Sequence, residues 1–286
     1  MKNFKKIIQI ILVSTSILIL SGCFPTDLSK DLSNNFSKDD MKRPIQEYLR
    51  ENFGLTGDIH IISATNFALA GTDHEVYFEI YKPYHAFVNL FVSRDTLKVL
   101  PAEKREVYLA LFKAAYIKQH PEIIQFSNEL IRKYNLVGPI QYVKKDIGEE
   151  NKVNVEDLYY LEMNFGGNTQ ISKLVNSFKK KQSIDTSQTL PTIIKHEPEE
   201  YIGRIGIVNF IYEYVITDNT KKAPQSKELV DEFKKSKLLK KGLYNVEIQA
   251  IDKEEFHDDE HSSFTLFRVD DKGNYTIIPV VPEPAH

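Results

Sequence analysis

The chain has 286 residues, a formal net charge of −3 from 37 Lys+Arg against 40 Asp+Glu, and one cysteine. That length is enough to bury a core without covalent help, and a lone cysteine excludes an intrachain disulfide and any multi-thiolate metal site. The mildly acidic balance excludes the broad basic surface that nucleic acid or anionic lipid headgroups require.

The first 22 residues have the three parts of a secretory signal. These are a basic start with Lys2, Lys5 and Lys6, an apolar run from Ile7 to Leu20, and small residues Ser21 and Gly22. The run is 14 residues long and interrupted by Gln9, Ser14, Thr15 and Ser16, short of the roughly 20 apolar residues that span a bilayer. Leu20-Ser21-Gly22-Cys23 resembles the bacterial lipobox, whose cysteine receives a diacylglycerol thioether and becomes residue one after cleavage. The resemblance implies lipidation at Cys23, a signal peptide over 1–22, and a body tethered to the extracytoplasmic face of the cell membrane. Two acyl chains anchor stably where one binds marginally. Cleavage removes three lysines, leaving 34 basic against 40 acidic residues and a net charge of −6.

Residues 23–41 are Ser-, Asp-, Asn- and Lys-rich with no apolar period, and are expected to be a flexible tether. An N-terminal α+β region is expected over 42–181. Pro44 suits a first helical position and Gly54 the position past the end, with Ile45, Tyr48, Leu49 and Phe53 on one face. Strands are expected at Asp58 to Ser63, Glu75 to Tyr81 and Ala86 to Ser93, the last two joined by a turn at Lys82-Pro83-Tyr84-His85. Helices follow over Glu103 to Gln119 and from Pro121, the second stopped by Gly138-Pro139. A strand at Ile140 to Lys144, an alternating strand through Tyr159, Leu161, Met163 and Phe165, and a short helix with Ile171, Leu174, Val175 and Phe178 complete this region. The Lys179-Lys180-Lys181 run reads as a solvated helix end that complements the helix dipole.

Residues 182–200, rich in Ser, Thr, Pro and charge, are expected to be a linker or long loop. A C-terminal α+β region is expected over 201–286. It begins with an alternating strand at Gly206 to Thr217, then a helix capped by Ser226 and running to Lys241, then a strand from Leu243 to Ile251. A hairpin of Ser263 to Val269 and Tyr275 to Val280 closes it. Helix, glycine stop and three strands thus recur at both ends, so the expected fold is α+β, with antiparallel sheets, helices packed on one face, and two similar helix-plus-three-strand halves as a possible organisation.

No G-x-S-x-G, P-loop, G-x-G-x-x-G or H-E-x-x-H pattern occurs. The densest polar constellation is FHDDEHSS, where His257 and His261 flank three carboxylates; a divalent metal is one reading, and an exposed connection between strands is the other. His60, His85 and His120 read as strand, turn and cap residues. The 15 Tyr and 17 Phe, against no Trp, cluster in runs such as YFEIYKPY; strand propensity accounts for most of them, and a Tyr-rich recognition face is the alternative. No catalytic residue, cofactor or nucleic-acid partner is expected.

The lipobox together with IKQHPEIIQFSNELIRKYNLVGPI and SKELVDEFKKSKLLKKGLYNVEI resembles the uncharacterised Gram-positive lipoproteins grouped as domain of unknown function 1672. That resemblance implies a lipid-anchored envelope protein and supplies no catalytic residue. The expected function is a non-enzymatic binding domain for a protein or envelope ligand; the alternative is a metal-dependent hydrolase using His257 and His261.

Overall fold

In a computed structural model of the chain, the residues described are 38–66, 74–93, 96–137, 161–163, 168–194, 208–216, 223–251 and 257–279. The first helix, α1 (Lys38–Phe53), buries Met41, Ile45, Leu49 and Phe53, spaced four apart along one stripe. It begins at Lys38 rather than at Pro44, which lies inside it. The buried Met41 lengthens the apolar stripe by a turn, and Asp39 and Asp40 favour the positive end of the dipole. Gly54, at φ +70°, ends it, with the Gly54 and Leu55 amides returning to Arg50 and Leu49 carbonyls.

Strands β1 (Ile59–Asn66), β2 (His74–Ile80) and β3 (Ala86–Val92) form an antiparallel meander. Val76, Phe78 and Ile80 on β2, and Ala86, Val88, Leu90 and Val92 on β3, point into the core. The opposite parity places His60, Glu79 and Phe87 side by side across the three strands. The Lys82–Pro83 peptide between β2 and β3 is cis.

A 3₁₀ turn (Pro101–Glu103) leads into α2 (Lys104–Gln119), and α3 (Pro121–Tyr134) follows after a single residue, His120. Asn135, at φ 54°, ends α3, three residues ahead of the Gly138-Pro139 stop expected from sequence, which lies outside the described residues. The strand expected at Ile140 to Lys144 also lies outside them. Of the strand centred on Leu161, β4 (Leu161–Met163) is described, with Leu161 and Met163 buried and Glu162 exposed. Helix α4 (Asn168–Lys181) buries Ile171, Val175 and Phe178 as its period requires.

Within the stretch expected to be a linker or long loop, α5 (Thr186–Ile194) is helical. Asp185 starts it: its Oδ1 accepts from the Gln188 amide at 3.2 Å and the Ser187 hydroxyl at 2.7 Å. Helix α5 packs against α2 and the second sheet.

That sheet has five strands in the order β4, β5 (Val208–Val215), β6 (Gly242–Ile251), β7 (His257–Val269) and β8 (Tyr275–Ile277). It is mixed rather than antiparallel throughout, because β5 and β6 run parallel. The helical crossover α6 (Ser226–Ser236) makes that direction possible. α6 ends at Ser236, not Lys241, with Lys237 at φ 56° as its cap. Gln225, rather than Ser226, is the N-cap, in a reciprocal pair with Glu228. Ser226 bonds across to β7 instead, its hydroxyl 2.8 Å from that of Thr265.

The fold is therefore α+β. A helix followed by an antiparallel three-strand meander occurs at each end, the second extended by β4 and β5. Helix α2 touches both sheets, and the buried apolar residues form one continuous cluster.

Candidate functional site

Cys23 lies outside the described residues, as does the signal peptide expected over residues 1–22. Among the described residues, no helix is long and apolar enough to cross a membrane. His257 and His261 fall within β7 rather than on an exposed connection. The β6–β7 pairing is interrupted there, stepping from Ile248↔Ser263 to Ala250↔Asp258, and Ser262 Oγ accepts from the Ala250 amide at 3.0 Å. Among the described residues, no group of three His, Cys, Asp or Glu side chains is placed to hold a metal ion.

The structure assembles a different polar cluster on the outer face of the first sheet. Glu79 is its centre, with its side chain only 9% exposed. Its Oε2 accepts from the Tyr81 phenol at 2.6 Å and lies 3.2 Å from His60 Nδ1. Its Oε1 lies 3.5 Å from His85 Nε2. Burial raises the Glu79 carboxyl, but the hydrogen bonds of Tyr81 and His60 and the charges of His85 and His60 outweigh it, holding the group below the usual glutamate range. The same hydrogen bond pushes the Tyr81 phenol up to about 12.

This carboxylate orients two aromatic rings. Tyr81 and His85 stack at 5.5 Å, His85 meets Phe87 at 4.9 Å, and Phe87 stacks on Tyr77 at 6.1 Å. Tyr81, Tyr84, His85 and Phe87 then form one wall of a cleft of about 350 Å³. The facing wall is α2, through Ala110, Lys113, Ala114, Ile117 and Lys118. Lys118 Nζ sits 5.6 Å from the centre of the Tyr84 ring.

Tyr84 is held from behind. Its phenol oxygen accepts the Ile184 amide at 2.8 Å. Gln119 binds the same segment, donating to the Ile184 carbonyl at 2.6 Å and accepting from the Thr186 hydroxyl at 2.7 Å. The cleft's described lining contains two lysines and a histidine, but no carboxylate and no Ser, Thr or Cys. The lining offers ring faces to apolar or C–H surface and cationic side chains to an anionic group.

Alternation alone puts Tyr77, Glu79 and Tyr81 on one face, so this part of the cluster was within reach of the sequence. The partnership of His60 and His85 with Glu79, and of Lys118 with Tyr84, depends on strand register and helix docking. Compared with protein families, curated proteins and solved structures, the chain finds no match.

Proposed function

We propose that the chain is a lipoprotein of the extracytoplasmic face, of the kind grouped as domain of unknown function 1672, anchored through a diacylated Cys23 and carrying a non-enzymatic binding domain. The observation that carries the binding reading is the tyrosine-walled cleft between the β2–β3 turn and α2, with Lys113 and Lys118 opposite the rings. A shallow aromatic groove with rigid rings and a cationic side offers contact area at small entropic cost. Its partner is a protein or an envelope component carrying negative charge.

The test is capture from envelope extract by the immobilised full chain in detergent, run beside Lys113→Glu/Lys118→Glu and Tyr81→Ala. Material retained by the wild type and lost from both variants supports the reading. Retention by both variants removes the cleft as the binding site.

A further inference from the structure

Among the described residues, the cleft meets a strand edge at Ala86 and Phe87, where no other strand pairs with it. Ala86 and Phe87 point to opposite faces of the sheet, yet both line it; a cavity touching adjacent residues of one strand lies against the strand's edge and not over a face. β3 is the outer strand of its sheet on that side.

Its outward backbone groups can be followed one by one. The Ser93 amide donates to the Lys98 carbonyl at 2.8 Å, and the Phe91 carbonyl accepts from the Leu100 amide at 3.1 Å. The Phe91 amide is bonded by the Glu103 carboxylate. Odd-numbered residues of β3 therefore turn their N–H and C=O away from β2. After Leu100 the chain leaves the edge for the 3₁₀ turn and α2. The next outward residues, Phe87 and Asn89, have no backbone partner among the described residues. Such a row of donors and acceptors is a template for another strand.

We propose that this edge takes an extended peptide by strand addition, in line with the Val99–Leu100 segment that already covers its upper part. Main-chain bonds at Phe87 and Asn89 supply affinity, and alternate side chains of the peptide enter the cleft. An acidic side chain of that parity meets Lys113 or Lys118. A second copy of this chain pairing edge to edge would bring its own Lys113 and Lys118 against these, so charge favours a foreign acidic segment. This inference rests on the cleft being the binding site and adds the form of the ligand.

The experiment uses a displayed library of random octapeptides selected on the full chain in detergent. Selected peptides are synthesised with the backbone N-methylated at odd or at even positions. Enrichment of extended peptides bearing Asp or Glu is expected, with affinity reduced at least tenfold by N-methylation at one parity and little changed at the other. Asn89→Pro removes one outward donor, at an edge position where proline is tolerated; it should weaken the same peptides about tenfold, while Asn89→Ala leaves them unchanged and both variants keep the wild-type melting temperature within a few degrees. If Asn89→Pro unfolds the chain, the N-methylation result decides alone. Peptides insensitive to N-methylation at either parity, or no enrichment, would overturn strand addition, and wild-type self-association through this edge would overturn a foreign peptide as its occupant. Peptides that lose affinity on Lys113→Glu/Lys118→Glu but tolerate N-methylation would leave the cleft reading standing and remove this one; peptides that tolerate both would remove both.

Discussion

The Tyr84 phenol and the Ile184 backbone amide, 100 residues apart in the chain, meet at 2.8 Å in a buried hydrogen bond. Tyr84 belongs to the turn that walls the cleft and Ile184 to the segment that starts α5. Tyr84→Phe keeps the ring and deletes the oxygen, leaving a buried amide without its acceptor. A loss of about 1–3 kcal/mol is expected, read as a lower urea midpoint with unchanged slope.

Gly54 sits at φ +70°, and a Cβ there would lie 2.9 Å from Gln182 Nε2. The side chain of Gln182 donates to the Phe53 carbonyl at 2.8 Å, which limits its retreat. Gly54→Ala should cost ~1–2 kcal/mol for the left-handed backbone alone. Gly57, with open space around its Cβ position, is the control, and Gly57→Ala should stay within about 0.5 kcal/mol.

Two glutamates push stability in opposite directions with pH. The Glu79 carboxyl lies below its ordinary 4.5 in the fold, so its contribution is complete above that pH and is lost as pH falls through the folded value. The Glu103 carboxyl is raised, chiefly by burial and further by Glu106, with the Phe91 amide pulling the other way. Its contribution is complete below pH 4.5 and is lost as pH rises through the raised value. Glu79→Gln should flatten the acid side of the stability–pH curve. Glu103→Gln, which keeps an acceptor for Phe91, should raise stability at neutral pH; urea titrations across pH 3–8 read both.

Cys23→Ala should abolish labelling by a fatty-acid probe and leave the protein uncleaved or released from the membrane fraction. Persistent labelling of that variant would remove Cys23 as the acylation site.

Periodicity carried most of the elements. The stripe of Tyr108, Leu111, Phe112 and Ala115 and the alternation of Val246, Ile248 and Ala250 announce their structures because each buries one face. Where the pattern failed, a local polar interaction or a tertiary contact decided. Asp185 was the available sign of α5, hidden in a Ser/Thr-rich stretch. The α6 terminus moved because Lys237 accepts a left-handed conformation that usually calls for Gly or Asn. Tyr77, Glu79 and Tyr81 were legible as neighbours on one face, but the cleft was not, since Lys113 and Lys118 reach it only after α2 docks beside β3.

The contacts made by residues 179–186 also impose an order on synthesis. Lys179 donates to the Glu51 carbonyl, Gln182 to Phe53, and Gln119 and Tyr84 hold Ile184 and Thr186. The first sheet is complete in the growing chain once Val92 has been added, yet the groups that brace its turn are made far later. At ~5–20 residues per second, the 100 residues between Tyr84 and Ile184 take roughly 5–20 s to follow. Through that interval the Tyr84 phenol and the Phe53 carbonyl must be satisfied by water. The brace behind the turn therefore forms only after translation has passed the start of α5, and a chain truncated before Ile184 would lack it.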